Sequence, residues 1–466
     1  MLAFRWFAAA LLLFAPPALA QELTPAQSAE VDKIVADALA SSGVPSASVA
    51  VVRDGKIVFA KAYGDQGMAN PGPSLDAKYP IASVSKQFTA AAVLLLEEEG
   101  KLSLDDKVAK FLPGISGGER ITIRQLLSHT SGLQDYWPQD YSFAAMEKPI
   151  TPQGIVDRWG KKPLDFTPGT AWQYSNTGYV VAGMIVEKAA GKPLLAYLQD
   201  KVFKPLGMKA IDQDLAIGKG FPQPTHRFAL GPVRPAKPAA PGWLWAAGQL
   251  AMSASDLAKW NMARIDRKLL APADWAAQET IVKLADGSAT GYGLGVSIAD
   301  RNGLHLVSHG GEAVGFLSEN IVIPDKRFAV VALVNADFGR AQDAIAFGIV
   351  DLLYPPPLTP PAPVDPRDAL ARKVFDQLRA GTLDRALLTD NAAYYFDAVA
   401  TADYRDTLGP LGNPDAFAPL SKPRLRGGFV NRNYAIRYGD KRLLAITYAE
   451  PGETGRFEQF IVMPLD

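Results

Sequence analysis

The sequence predicts a mixed α/β (α+β) fold in which helices sandwich an antiparallel sheet, with a helical lobe and a small C-terminal α+β domain. Three observations support this prediction. Two strand-like runs, 48–53 and 56–60, flank Asp54-Gly55, a dipeptide typical of a tight hairpin turn. Apolar segments with helical spacing alternate with further strand-like runs. A proline-dense stretch at 354–366 then separates the two regions.

The larger region, 21–353, contains the elements expected of one hydrolase-sized domain. Strands at its two ends are expected to join one sheet, and apolar helices are expected to cover that sheet. In chain order we predict helices over 24–41, 86–99, 178–190 and 339–353, and strands over 48–53, 56–60, 320–324 and 328–334.

The segment 354–366 is expected to be a semi-rigid polyproline linker to an accessory domain, 367–466. The accessory domain is predicted to have short helices followed by antiparallel strands, and it resembles the cone-shaped NTF2-like modules of some multidomain proteins. Its expected roles are packing against the larger region, pairing subunits or shaping a site entrance. The predicted helices are 368–380, 384–389 and 397–407, and the predicted strands are 427–438, 442–448 and 457–464.

The first twenty residues match an export signal. Arg5 gives a positive start, residues 6–14 form an apolar core too short for an ordinary membrane span, and Ala18-Leu19-Ala20 is a small-x-small cleavage site. We therefore expect a signal peptide over 1–20, a periplasmic or secreted protein, and no stable membrane anchor after cleavage. A lipoprotein anchor would need a cysteine, and the sequence has none.

The composition argues against nucleic-acid binding and against a metal or cofactor. Forty-eight basic and forty-eight acidic residues cancel, so no basic surface for nucleic acid is expected. With no cysteine and only four histidines, in no metal-ligand spacing, neither a metal nor another cofactor is expected. The expected partner is a small-molecule ester, amide or peptide substrate.

Ser83 and Lys86 are the candidate nucleophile and base. They lie one turn apart at the start of the apolar segment 86–99, so they are expected to share one helix face. The positive end of a helix favours a developing alkoxide at Ser83. Burial in so apolar a helix lowers the pKa of a lysine and makes a neutral amine available to Ser83. This pair predicts acyl transfer.

A second serine motif is rejected. Gly114-Ile115-Ser116-Gly117-Gly118 matches the nucleophile elbow of α/β-hydrolases, which needs a buried strand before the serine and a helix after it. Here a charged, proline-ended segment comes before Ser116 and a short strand-like run follows. We therefore predict that Ser116 is a loop residue.

Ser83-Val84-Ser85-Lys86, Tyr174-Ser175-Asn176 and His309-Gly310-Gly311 occur in an order that resembles the serine β-lactamase and penicillin-binding-protein superfamily, most closely its class C β-lactamase, family VIII esterase and D-aminopeptidase branches. The resemblance covers roughly 24–352 and includes the segments 126–133, 174–179, 205–208, 247–253 and 291–295. It implies a β-lactamase-like fold with the site between the sheet and the helical lobe.

The resemblance also implies roles for individual residues. Ser83 is the acylated nucleophile, Lys86 its base, and Tyr174 a phenol that shares the proton transfer. Asn176 contacts Lys86 and the substrate's acyl side chain. The backbone amides of Ser83 and Glu312 form the oxyanion hole.

His309-Gly310-Gly311 departs from the Lys-Thr-Gly pattern of many relatives. The family places this segment on an edge strand, where the lysine and threonine hold a substrate carboxylate. A neutral imidazole followed by Gly310 and Gly311 offers less charge and no hydroxyl, so we expect esters or amides to be preferred over β-lactams.

Two further interpretations concern residues 129 and 134–141, the first from the resemblance and the second from the aromatic side chains themselves. His129 is expected to be structural. The aromatic loop 134–141 is expected to form one wall of an acyl pocket.

The sequence therefore predicts an exported serine hydrolase acting through an acyl-enzyme on small esters, amides or peptides. Two alternatives stay open: a β-lactamase or penicillin-binding protein with slow deacylation, and a non-catalytic binding protein.

Overall fold

The computed structural model describes residues 22–68, 72–355, 367–420, 423–439 and 441–465. The predicted signal peptide and nearly all of the predicted linker lie outside the described residues. The helices are α1 (Pro25–Ser42), α2 (Lys86–Glu98), α3 (Ile123–Leu127), α4 (Pro152–Ile155), α5 (Asn176–Ala190), α6 (Leu194–Leu198), α7 (Trp245–Gly248), α8 (Ala254–Ile265), α9 (Pro272–Glu279), α10 (Ala341–Leu353), α11 (Asp368–Ala380), α12 (Asp390–Tyr395) and α13 (Ala398–Leu408).

The strands form one large sheet, a C-terminal sheet and short pairings. They are β1 (Ser46–Arg53), β2 (Lys56–Gly64), β3 (Tyr79–Pro80), β4 (Ile211–Asp212), β5 (Thr225–His226), β6 (Arg234–Pro235), β7 (Leu250–Met252), β8 (Ser297–Arg301), β9 (Leu304–Ala313), β10 (Phe316–Ile323), β11 (Phe328–Val334), β12 (Ala416–Pro419), β13 (Arg424–Arg426), β14 (Phe429–Tyr438), β15 (Lys441–Ala449) and β16 (Phe457–Pro464).

The large sheet is antiparallel, with strand order β2-β1-β11-β10-β9-β8. Asp54 and Gly55 join β1 to β2, and both have positive φ, 51° and 75°, as a tight hairpin turn requires. The N-terminal strands β1 and β2 therefore pair with β11 from the other end of the domain. This closure confirms the predicted antiparallel sheet.

Helices cover both faces of this sheet. Strand β1 is buried along its length except at Arg53, as expected for a strand covered on both sides. Val49 and Val51 pack toward α1 and α10, whereas Ala50 and Val52 belong to the larger core beneath α8 and the helical lobe. The β-lactamase-like α/β sandwich is thus confirmed.

The segment that carries Ser83 differs from the prediction in one respect. Residues Ala82–Ser85 form a 3₁₀ turn, and the α-helix α2 begins only at Lys86. Ala82 has a left-handed φ of 46°. Ser83 therefore lies in a tight turn leading into the helix rather than on the first turn of the α-helix itself.

The C-terminal region contains α11–α13 followed by a sheet of order β12-β14-β15-β16, with β13 paired to β14. Its core is separate from the two cores of the large sheet. It also contacts the larger region directly, since Tyr141 donates to the Glu458 carbonyl and Gln459 Nε2 donates to Asp140 Oδ2 at 2.7 Å.

Several boundaries differ from those predicted. The predicted helix 384–389 is wrong: a 3₁₀ turn occupies Arg385–Leu387, and α12 begins at Asp390 because Thr389 caps it. The predicted strand 427–438 begins instead at Phe429, because Gly427 and Gly428, with φ of 58° and 81°, form the turn that joins β13 to β14. Strand β12 was not predicted from the sequence.

Candidate active site

Ser83 and Lys86 meet where the 3₁₀ turn enters α2. Lys86 Nζ lies 2.9 Å from Ser83 Oγ. The amine has two further partners, Asn176 Oδ1 and the Ala247 carbonyl, each at 2.8 Å. Both of these oxygens accept hydrogen bonds and cannot donate any. A neutral amine would give its two N–H groups to them and direct its lone pair at the Ser83 hydroxyl.

The surroundings of Lys86 favour that neutral amine. The side chain is fully buried, and its nitrogen lies 4.8 Å from the ring centre of Tyr174 and 5.4 Å from that of Tyr179. Burial lowers the pKa of Lys86 well below its usual range, and the nearby Asp135 carboxylate raises it part of the way back. Lys86 can therefore take a proton from Ser83 near neutral pH.

Tyr174 lies just before α5, whose N-cap is Ser175. Burial raises the pKa of the Tyr174 phenol, and a hydrogen bond with Ser83 offsets part of that rise. The phenol is therefore protonated at neutral pH. In this state it can donate a proton but cannot act first as a base, so the arrangement gives Lys86 and Tyr174 different parts in proton transfer.

Asn176, the first residue of α5, joins the lysine to a buried acid. Its Oδ1 accepts from Lys86, and its backbone N–H donates to Asp135 Oδ1 at 3.0 Å. Its Nδ2 lies 3.4 Å from Asp135 Oδ2. The orientation of the amide toward Lys86 is thus fixed by a carboxylate whose side chain is completely buried.

Burial lowers the pKa of His309 to about 3, so its ring is neutral. Both ring nitrogens are engaged within the protein: Nε2 lies 2.7 Å from the Tyr292 hydroxyl, and Nδ1 bonds the Gly310 carbonyl. A contact between His309 and substrate stays a prediction. The ring lines the cleft, but its polar atoms are used internally.

Gly310, Gly311 and Glu312 continue β9 along the site. Strand β8 pairs with β9 only as far as Ser308, so β9 is an edge from His309 onward and an inner strand before it. A Cβ on Gly311 would lie 2.2 Å from the Ile81 carbonyl oxygen, so only glycine allows β9 to approach the turn before Ser83. The oxyanion role of the Ser83 and Glu312 amides stays a prediction.

Glu312 projects its side chain into the cleft. Desolvation by the cleft walls, together with the Asp140 carboxylate, raises the pKa of Glu312. It is one of five cleft carboxylates, against three guanidinium groups. Two of those guanidinium groups, on Arg340 and Arg426, are paired with carboxylates. Burial raises the pKa of three of these five acids, Glu312, Glu319 and Asp337, so the number of acidic groups does not by itself give the cleft a net negative charge.

The cleft itself has a volume of about 320 Å³ and lies between the large sheet, the helical lobe and the C-terminal sheet. Of the aromatic loop 134–141, Trp137 lines it. Tyr136 packs instead on Trp159 and Trp243, and Tyr141 stacks on Tyr395 of the C-terminal region. One aromatic residue of the loop thus forms part of the wall, whereas these two tyrosines serve packing.

The two rejected candidates lie where the sequence placed them. Ser116 is in a turn, held by a bond from its backbone N–H to the Gly160 carbonyl, with no strand before it and no helix straight after it. His129 is buried, and its Nδ1 accepts from the Ser175 N–H at 3.1 Å. Burial lowers the pKa of His129 well below its usual range, so it orients the Tyr174 segment as a neutral ring.

Three residues of the site were missed by the sequence analysis: Asp135, Tyr292 and Arg426. Asp135 lies in the aromatic loop 134–141 and Tyr292 in the segment 291–295, both already noted in the sequence. Considering them as polar partners of Asn176 and His309 could have identified them. Arg426 lies in β13, far along the chain. Only the Gly427-Gly428 turn after it gave a local signal, and that signal concerns the backbone alone.

The described ranges hold no cluster of side chains suited to a metal ion. In the same part of the chain, no helix has both the length and the apolar character needed to cross a bilayer.

This fold, with a serine–lysine pair between sheet and helical lobe, defines the serine β-lactamase and penicillin-binding-protein superfamily. The family model described as Beta-lactamase matches residues 31–353. The chain belongs to that family.

Known proteins similar to the chain include amidohydrolases. A D-aminopeptidase of Brucella anthropi is 29% identical over 322 residues, which are 66% of this chain and 59% of that protein. A D-stereospecific amidohydrolase from a Streptomyces species is 30% identical with a TM-score of 0.59, covering 68% of this chain and 97% of that one. The match to the curated D-aminopeptidase thus spans less than two thirds of that enzyme.

The similarity to some solved structures extends over nearly the whole chain. The octameric penicillin-binding protein homologue from Pyrococcus abyssi covers 94% of this chain and 99% of its own, at 22% identity and a TM-score of 0.63. At that identity the similarity concerns the fold alone.

Proposed function

We propose that this protein is a serine hydrolase that cleaves small amides and esters through an acyl-enzyme at Ser83. The observation that supports this most directly is the 2.9 Å contact between Ser83 Oγ and the buried Lys86 amine. A lysine with a lowered pKa beside a serine hydroxyl is a nucleophile–base pair.

The proton path follows from the two pKa directions. Ser83 Oγ attacks the substrate carbonyl carbon while its proton passes to the neutral Lys86 amine. The tetrahedral intermediate then breaks its bond to the leaving group, which takes a proton from the Tyr174 phenol. Lys86 returns its proton to Tyr174, and water attacks the acyl-enzyme with the same groups in the reverse sense.

Within amides and esters, we propose D-amino-acid amides and short D-peptides as the preferred class. Two observations support this. The similar proteins include a D-aminopeptidase and a D-stereospecific amidohydrolase. Acidic groups that line the cleft, Asp140 and Glu312 among them, can accept hydrogen bonds from an α-ammonium group, and binding such a group would favour the ionised form of Glu312.

The test uses matched substrates. We expect kcat/KM to be higher for D-phenylalanine amide than for its L enantiomer, for N-acetyl-D-phenylalanine amide and for nitrocefin, with Ser83→Ala as the inactive control. Measuring kcat/KM for short-chain p-nitrophenyl esters compares ester hydrolysis with amide hydrolysis. Equal rates with and without the free ammonium would contradict the amine preference, whereas faster nitrocefin hydrolysis would favour a β-lactamase. A fluorophosphonate probe that fails to label Ser83 would indicate a non-catalytic binding protein.

We also propose that the enzyme is exported to the periplasm or secreted, on the evidence of the predicted signal at 1–20. Expression with a C-terminal tag, followed by fractionation and N-terminal sequencing, tests this. We expect a mature protein that begins at Gln21. Recovery of the full-length chain in the cytoplasm would contradict the proposal.

A further inference from the structure

The C-terminal region places a guanidinium group inside the active site. Arg426, at the end of β13, has its Nε 3.2 Å from Asp135 Oδ2. Its terminal nitrogens lie 3.2 Å from the Trp137 carbonyl and 3.2 Å from the Tyr448 hydroxyl. A longer contact of 3.5 Å reaches Asp140. Every donor nitrogen of this arginine therefore faces a partner.

Arg426 also packs against the residue that shares proton transfer with Lys86. Its guanidinium carbon lies 4.9 Å from the ring centre of Tyr174, and the backbones of the two residues form a bridge. Only 22% of the Arg426 side chain is exposed. Arg426 is therefore held in the wall of the cleft by both its backbone and its side chain.

Asp135 connects this arginine to the catalytic lysine. The carboxylate accepts from Arg426 on one side and from Asn176 on the other, and Asn176 accepts from Lys86. Two basic side chains thus compete for one buried acid. A carboxylate that is already paired with a guanidinium stabilises a second cation less, so it raises the pKa of a nearby lysine less.

We propose that Arg426 is a positioning residue of the active site: by pairing with the buried Asp135 it keeps Lys86 in the neutral form that accepts the Ser83 proton. This role rests on the proposed function, since it concerns the base of that reaction. It assigns the C-terminal region a part in the chemistry as well as in the shape of the cleft.

The other titratable groups around Lys86 do not replace this pair. His129 and His309 are neutral because burial lowers the pKa of each. Tyr174, Tyr179 and Tyr448 are protonated because burial raises the pKa of each. Asp140 and Glu312 lie beyond Arg426, on the cleft side, and act on that arginine. Burial raises the pKa of Asp135, whereas pairing with Arg426 lowers it and favours the carboxylate, so Asp135 and Arg426 are the charges that act on Lys86.

The experiment compares Arg426→Met with Arg437→Met, a matched substitution at an exposed position of β14 in the same sheet. Removing the guanidinium leaves Lys86 as the nearest cation to Asp135, so Lys86 should hold its proton to a higher pH. We expect the acidic limb of the kcat/KM profile to move up by about one pH unit or more in Arg426→Met. It should not move in Arg437→Met.

A rescue variant separates this role from a structural one. Asp135→Asn added to Arg426→Met removes the unpaired carboxylate, so the acidic limb should return toward the wild-type position. Arg426→Lys keeps the charge and should also keep the wild-type limb. If Arg426→Met does not fold, Arg426→Gln takes its place. A changed KM with an unmoved limb would overturn the proposal and make Arg426 a substrate-binding residue.

A second measurement needs no turnover. In protein labelled with ¹³C at the lysine Cε, the Lys86 resonance, assigned with Lys86→Ala, should titrate at a higher pH in Arg426→Met than in wild type. An unchanged titration would overturn the proposal. Absence of Ser83 labelling by a fluorophosphonate would count against the proposed function alone, because this titration can still be measured.

Discussion

Ser83 differs from Ser116 in its structural surroundings. It follows a residue in a left-handed conformation, precedes α2 and contacts a buried amine at 2.9 Å. Ser116, despite its glycine-flanked motif, has none of these features. The two serines therefore offer a direct comparison between a local sequence pattern and a three-dimensional site.

We predict that Ser83→Ala abolishes acylation and that Ser116→Ala leaves it nearly intact. Deleting a nucleophile in such a system removes several orders of magnitude in rate, on the order of 10⁶. Mass spectrometry after incubation with a fluorophosphonate, together with turnover of the best substrate, measures both variants. A comparable loss in the Ser116 variant would contradict this assignment.

Tyr174 and Lys86 are expected to differ in their pH signatures. Because the pKa of Lys86 is lowered and only the neutral amine can act, kcat/KM should rise as pH increases through that pKa and then level off. Tyr174→Phe keeps the ring packing and removes the proton donor, so we expect a loss of ~10² to 10⁴ in kcat with the acidic limb retained. Lys86→Ala should be nearly inactive at every pH. Wild-type turnover in Tyr174→Phe would show that the phenol serves packing alone.

At the scale of elements, the approach of β9 to the turn before Ser83 depends on one glycine. Gly311→Ala would put a Cβ 2.2 Å from a backbone oxygen, which cannot move without shifting the turn. We predict a loss of about 1–3 kcal/mol in the free energy of unfolding. Denaturant titration measures it.

Gly310→Ala is the control for stability. There the added Cβ would lie 3.0 Å from a Glu319 carboxylate oxygen, the mobile end of a side chain, so the free energy of unfolding should change little. Equal losses in the two variants would show that β9 tolerates no side chain here, rather than that Gly311 allows a close approach.

The elements that the sequence predicted well are those whose pattern is local. The Asp54-Gly55 hairpin, the strands β10 and β11 and the helix α11 all follow from turn chemistry or periodicity. The 3₁₀ turn at Ser83 was not predicted, because an apolar run does not reveal where an α-helix begins. Strand β12 is short and half-buried, so it has little periodicity to detect.

The site residues that lie in sequence motifs were predictable, whereas those brought in by tertiary contacts were not. Ser83, Lys86, Tyr174 and Asn176 carry recognisable spacing, and the structure brings them together. Arg426 has no such spacing, since its contact with Asp135 depends on how the C-terminal region docks. The engagement of His309 by Tyr292 likewise depends on two strands meeting in space.

At the scale of the whole molecule, the C-terminal sheet forms one wall of the cleft. Ile446 and Met463 face it from β15 and β16, and both are largely buried. An apolar surface of this kind suits an apolar part of the substrate. This wall is therefore expected to affect substrate specificity, whereas Arg426 is proposed to affect the protonation of Lys86.

We predict that Ile446→Ala raises KM about tenfold for substrates with a large apolar side chain, which corresponds to about two lost methylene contacts at about 0.8 kcal/mol each. It should change kcat/KM little for small acetyl esters. Leu444→Ala is the matched control, because Leu444 packs in the same apolar cluster of the C-terminal sheet without lining the cleft. Equal effects on large and small substrates would contradict a role in specificity and indicate loosened packing.

Arg426 comes from the part of the chain that the ribosome makes after the rest of the site. Domains generally fold in the order of their synthesis, so the large sheet and α2 can form before β13 exists. On the role proposed for Arg426, the pKa of Lys86 is higher at that stage and Ser83 is a weaker nucleophile near neutral pH. Docking of β13 would then raise the reactivity of Ser83, so that full activity depends on the C-terminal region.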